Sequence, residues 1–180
     1  MSEEYLDIVD ENGNLTGEKE LRSIVHEKGL RHRTVHIFCY RFVEGKLEFI
    51  VHLRSKDKDR NPNKWASSFG GHVESGCGFE DTFKKELQEE AGINLDPAAM
   101  TIGMRRLSDR DTNSEVVQVY YFNYTLPIET LKFSDGEVQQ AKWMNVDEIK
   151  RDILANTEKW AVSIETQEMI EKDFYEATKK

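Results

Sequence analysis

The chain predicts an α/β fold in which a sheet carries helices against both of its faces. Three observations predict it. Short runs rich in β-branched and aromatic residues alternate with helix-like runs, the pattern of layered strands and helices. Phe79, Phe83 and Leu87 recur at intervals of four, giving one helix an apolar stripe to lay on a sheet. The length of 180 residues, 38% of them hydrophobic, suffices for a substantial core, so residues 1–180 read as a single domain.

In chain order, residues 5–9 read as a short strand and residues 10–13 as a turn. Residues 19–26 have weak helical character. Residues 34–42 (TVHIFCYRF) form a strand, and Glu44-Gly45-Lys46 turns it into residues 47–53 (LEFIVHL), a hairpin. Residues 54–64 are a charged loop containing Pro62, and residues 65–69 a short strand. The glycine pair Gly70-Gly71 then leads through a turn into a helix that stops at Gly92. Residues 101–107 and 115–124 are two strands around an acidic, polar turn, and residues 140–145 are another. A helix opens at Val146 and runs to about Ala155. The last helix carries Trp160, Ile164, Ile170 and Phe174 on one side, with Asn156 and Thr157 just before it.

Bulk properties narrow the function. The net charge of −9 argues against nucleic acid or an anionic membrane as the main partner, while leaving small phosphorylated substrates open if metal ions supply positive charge. No apolar run approaches transmembrane length. The acidic start MSEEYLDIVDE lacks the basic lead of a signal peptide, and two cysteines make no disulfide framework, so a reducing cytoplasm is the expected compartment. A homodimer is the commonest assembly for such a chain.

The chemistry concentrates in GGHVESGCGFEDTFKKELQEEAGI, residues 70–93. Glu86, Glu89 and Glu90 stand at i, i+3 and i+4 and project from one side of the helix. Like charges at that spacing repel, and they sit at the helix C-terminus, where the backbone dipole is already negative. Divalent cations remove both penalties, and Mg²⁺ prefers carboxylates shared with substrate phosphates. The bland alternative is a solvated acidic face; the glycine lead and the glycine stop weigh against it.

This segment resembles the Nudix box, the signature of the Nudix hydrolase superfamily. Gly71 opens the match, and Glu86, Leu87, Glu89, Glu90, Gly92 and Ile93 fill its second half in register. Cys77 stands where the box has its first glutamate and Lys85 where it has arginine. The resemblance implies a mixed sheet between helical layers and a Mg²⁺- or Mn²⁺-dependent hydrolase of a small-molecule diphosphate, such as a nucleoside diphosphate linked to another group. It implies metal binding by Glu86, Glu89 and Glu90 with the carbonyl of Gly70, and proton abstraction from water by Glu89 or Glu137. Arg54 and Lys64 flank the charged loop and are the expected phosphate contacts, with Arg105, Arg106 and Arg110 as alternatives and Lys56 and Lys58 as solvated charges. In the family, the first glutamate and the arginine brace the loop against the helix. With both changed, the site is expected to bind metal but to be held less rigidly, and Cys77 reads as a small half-buried residue.

Residues 4–38 also resemble the N-terminal part of isopentenyl-diphosphate isomerase and of the bacterial Nudix hydrolases closest to it. In the isomerase, histidines near the equivalents of His26, His36 and His72 help bind a metal. The isomerase also needs a cysteine where WASSFGGH holds Gly70, which argues against the allylic proton shift here. A diphosphate-binding module with a decayed box is the remaining alternative. Trp65, Phe38 and Tyr40 read as core rather than as walls of a nucleobase pocket.

Overall fold

A computed structural model describes residues 4–58, 60–94, 96–110, 113–133 and 136–179. An antiparallel hairpin, β1 (Tyr5–Val9) and β2 (Leu15–Leu21), opens the chain and leads into helix α1 (Arg22–Lys28). The strands β3 (His32–Val43), β4 (Lys46–Arg54), β5 (Trp65–Ala66), β6 (Met100–Arg110), β7 (Asn113–Asn123) and β8 (Val138–Asn145) build the main sheet. It is mixed: β3 and β7 run parallel, and every other pairing is antiparallel.

Alternation along β3 explains the two layers. Val35, Ile37 and Cys39 point to a face covered by helix α2 (Phe79–Ala91), where they join Phe83, Leu87 and Ala91. Phe38 points to the other face with Val117, Val119 and Tyr121. Helices α3 (Val146–Ala155) and α4 (Ile164–Ala177) close that face through Ile149, Ile153, Ile170 and Phe174. The expected sheet with helices on both faces is therefore present.

The sheet has a split that makes the site. β3 and β4 pair only through their hairpin ends, Tyr40↔Phe49 to Val43↔Lys46. Beyond that point they separate, and the segment after β4 fills the gap. β5 pairs with β4 at His52↔Ala66, and the chain then crosses to β3 through the bridges Ile37↔Phe69 and Thr34↔His72. Gly70 and Gly71 lie on this crossing, directly ahead of α2.

Three expectations need correction. Residues 19–21 belong to β2, and α1 starts only at Arg22. The alternating Glu and Lys of this stretch suit a helix, but pairing with β1 (Asp7↔Lys19, Leu6↔Glu20) overrides that preference. Trp160 is not on the last helix. It bridges Trp65 and donates Nε1 to Asp152 Oδ2 at 2.8 Å. Asn156 closes α3, whereas α4 is capped by Ser163, whose Oγ accepts from the Thr166 amide at 3.3 Å. The expected strand over 65–69 is regular only at Trp65–Ala66. Among the described residues no helix is long and apolar enough to cross a membrane.

Candidate functional site

The turn into α2 sets the acidic cluster. Asp81 Oδ2 accepts from the Gly78 amide at 3.2 Å, capping the first turn, and Glu80 and Asp81 place negative charge at the dipole's positive end. At the other end Gly92 adopts φ +67°, and the Ile93 amide reaches back to Leu87 O at 3.0 Å. The helix rolls Phe83 and Leu87 into the core, which turns Glu86, Glu89 and Glu90 toward the Gly70–Gly71 crossing.

Glu90 is 3% exposed, an unusual place for a carboxylate. Its Oε2 accepts from the Gly70 amide at 3.0 Å, and its Oε1 lies 3.4 Å from Lys58 Nζ. The same ammonium contacts Glu137. Glu86 is half-buried beside Gly71, where a Cβ would lie 2.5 Å from its Oε1. Burial, reinforced by the charges of Glu90 and Glu89, pushes the Glu86 carboxyl up to about 8. Glu89 is exposed. Gly70 has φ +145°, and a Cβ there would sit 2.0 Å from Val35 O, so only glycine lets the crossing lie against β3.

Gly70, Glu86, Glu89, Glu137 and Arg54 all open on one cavity of about 720 Å³. Burial lowers the Arg54 guanidinium pKa, and the nearby charge of Glu90 opposes that shift. Lys64 is not on the cavity wall; its backbone carbonyl instead accepts from the Arg54 amide at 3.0 Å. Lys58, expected to be solvated, is drawn in because the buried Glu90 needs a cation. Arg106 lines the cavity, Arg105 lies over the Phe79 ring at 5.0 Å, and the side chain of Arg110 is outside the described residues. Of the three aromatics read as core, only Phe38 borders the cavity, and it is 3% exposed.

The two changed box positions also differ from expectation. Cys77 is exposed rather than half-buried, because the turn at residues 74–78 holds it outside the core. Lys85 pairs with Glu74 across the turn, and this hydrogen bond is the main reason its pKa is raised.

The imidazoles of His26 and His72 line the same cavity, and the buried ring of His32 packs against both. His26, His32 and His72 bring ring nitrogens within 4.8 Å of one another. His26 Nε2 and His72 Nε2 are 3.2 Å apart. His32 Nδ1 lies 3.0 Å from Leu30 O, so that nitrogen carries the proton and the neutral ring keeps a bare lone pair on Nε2. That buried Nε2 has no hydrogen-bond partner among the described residues and lies 4.0 Å from Glu115 Oε1. Burial lowers the pKa of His32, and burial together with the Arg22 charge lowers His72 to about 2. Convergent imidazole nitrogens of this kind suit a borderline metal such as zinc. The third member is His32 rather than His36, which borders the cavity elsewhere. Strand parity puts His32, Thr34 and His36 on one face of β3, and the packing of His26 of α1 against His32 selects the first of them.

The family model for the NUDIX domain matches residues 30–163. The chain belongs to the Nudix family. This Nudix chain is 35% identical over 156 residues to a Nudix hydrolase of Clostridium acetobutylicum, covering 84% of this chain and 74% of that protein. It is 30% identical over 158 residues to Nudix hydrolase 3 of Arabidopsis thaliana, covering 83% of this chain but only 20% of that longer protein. The crystal structure of DR0079 from Deinococcus radiodurans superposes with a TM-score of 0.71 at 23% identity, covering 95% of this chain and 99% of that one. The NUDIX domain of Shewanella oneidensis NrtR, solved with ADP ribose, superposes with a TM-score of 0.60 at 15% identity, covering 81% and 88% of the two chains. These two structural likenesses concern the fold.

Proposed function

We propose that this Nudix protein is a Mg²⁺- or Mn²⁺-dependent hydrolase of a diphosphate linkage in a nucleoside-diphosphate derivative or related organic diphosphate. One observation carries the reading: the buried carboxylate of Glu90 is held on one oxygen by the Gly70 amide and met on the other by an ammonium group. This arrangement supports a cation position there, with Lys58 supplying positive charge in its place. Glu86, Glu89 and the carbonyl of Gly70 complete an oxygen donor set of the kind hard divalent ions take. When bound, the cation supplies neutralisation of the phosphate oxygens and acidification of water. Arg54 borders the cavity and would contact the substrate phosphates, with Arg106, on the same wall, as the alternative. Glu89 or Glu137 takes the proton of the attacking water; the water oxygen bonds to phosphorus, and the bridging oxygen leaves with the other phosphate.

The test is a panel of organic diphosphates with Mg²⁺ or Mn²⁺, headed by ADP ribose, the compound in the Shewanella complex. Glu90→Gln is expected to lower kcat/KM by about 10²–10³-fold, the scale of losing one preorganised electrostatic partner. Wild-type turnover by Glu90→Gln would refute the assigned roles.

The imidazole trio favours a second reading, an isomerase-like enzyme acting on isopentenyl diphosphate. Against it stands Gly70, at the position of the isomerase's cysteine, where a Cβ would collide with Val35 O. Conversion of isopentenyl diphosphate without phosphate release would support this second reading; phosphate release from a diphosphate substrate supports the first.

A further inference from the structure

The turn that delivers α2 to its site, residues 74–78, lacks the family's carboxylate at position 77. A different carboxylate reaches it from outside the matched segment. Asp7, on β1, accepts from Ser75 Oγ through Oδ1 at 2.7 Å and from the Gly76 amide through Oδ2 at 3.1 Å. Its Oδ2 also meets Arg33 Nη2 at 3.2 Å. The same Arg33 nitrogen donates to Cys77 O at 3.1 Å, and the guanidinium lies over the ring of Phe79, the first residue of α2, at 5.5 Å. Backbone pairing fixes the register: the Ser75 amide donates to Tyr5 O at 2.8 Å, and Leu6, fully buried, bridges Glu74.

We infer that Asp7 is a positioning residue of the cation site, doing from the N-terminal hairpin what the glutamate absent at position 77 does elsewhere in the family. This rests on reading Glu86, Glu89 and Glu90 as cation ligands. The chain of contacts is continuous. Asp7 and Arg33 pin residues 75–77, those residues lead into the first turn of α2, and α2 sets the carboxylates against Gly70 and Gly71. Burial alone would raise the Asp7 pKa, but the bonds from Ser75 and Gly76 and the charge of Arg33 outweigh it, so the carboxylate stays ionised. The hairpin β1–β2 is then part of the catalytic domain's working structure, although residues 1–29 lie outside the family match.

The experiment is calorimetric titration of the full chain with Mn²⁺, comparing wild type, Asp7→Asn, Ser75→Ala and the triple variant Asp7→Asn/Cys77→Glu/Lys85→Arg. Asp7→Asn is expected to weaken Mn²⁺ binding about tenfold, the low end of what losing an outer partner of a ligand costs. Restoring the box pair in the triple variant is expected to recover most of that loss, which a merely stabilising Asp7 would not allow. Should Asp7→Asn fail to fold, Ser75→Ala decides, with severalfold weaker binding expected. Wild-type affinity in Asp7→Asn or, if that variant does not fold, in Ser75→Ala overturns the inference, and so does a triple variant as weak as Asp7→Asn. Absence of Mn²⁺ binding by the wild type sinks the cation-site reading, and this one with it.

Discussion

The cavity has two chemically opposite ends. At one, Glu86, Glu89 and Glu137 open on the cavity, and Glu137 and the buried Glu90 share the ammonium of Lys58. At the other, His26, His32 and His72 bring ring nitrogens together. Burial strains both, in opposite senses: it raises the carboxyl of Glu86 and lowers His72, so each end drifts toward its neutral form. The acidic end answers with a borrowed cation, and the imidazole end by giving up its protons. The two ends therefore differ in what they lack: a hard positive charge at one, an acceptor for a lone pair at the other.

Gly70→Ala should break the acidic end most severely. Its methyl group would meet Val35 O at 2.0 Å in a backbone conformation alien to L residues, at a cost of about 3 kcal/mol or more in stability. Denaturant unfolding measures it, and a loss below about 1 kcal/mol would contradict the close approach of the crossing to β3.

The next prediction separates the ends by pH. Glu86 titrates near 8 in the folded metal-free protein against 4.5 when exposed, so the unfolded chain loses that proton first. Stability of the metal-free protein should fall as pH rises through that window. Bound Mn²⁺ removes the penalty, so the gain in Tm on adding Mn²⁺ should be larger at pH 8 than at pH 5.5. Equal gains would count against Glu86 as a ligand.

The imidazole end should show the reverse. His72 titrates near 2 folded against 6.5 unfolded, so its contribution is complete above about pH 6.5 and drains away as the solution is acidified. The slope below pH 6.5 reaches at most about 1.4 kcal/mol per pH unit for each such histidine. His72→Asn should flatten it in metal-free chemical denaturation; an unchanged slope would place the buried proton elsewhere.

The smallest effect sharpens the acidic end. Lys58→Met removes the competing ammonium, and Mn²⁺ binding by calorimetry should tighten severalfold; weaker binding would mean that Lys58 helps the cation rather than replaces it.

How much of this the sequence disclosed follows from how local each feature is. Glu86, Glu89 and Glu90 sit on one helix, so their spacing alone places them together. Glu137 could be named, but its meeting with Glu90 depends on a loop register that spacing does not give. Lys64 and Lys58 show the limit: both lie in one charged loop, and only the buried charge of Glu90 selects which lysine turns inward. The imidazole trio draws on α1, β3 and the crossing after β5, three elements whose meeting is tertiary, and the choice of His32 over His36 needs the placement of α1. Asp7 was invisible for the same reason, since its partners in the turn, Ser75 and Gly76, lie more than 60 residues away. The β2 error arose where an edge pairing overrode helix propensity, while the uninterrupted apolar patterns of β3, β4 and α3 were legible.

The proposed function requires the carboxylates of α2, with the carbonyl of Gly70, to grip a divalent cation. Anomalous diffraction from crystals soaked in Mn²⁺ tests it most directly. The account predicts a peak within coordination distance of Glu90, flanked by Glu86 or Glu89, with Lys58 displaced. An empty acidic end, or a peak confined to His26, His32 and His72, would contradict it.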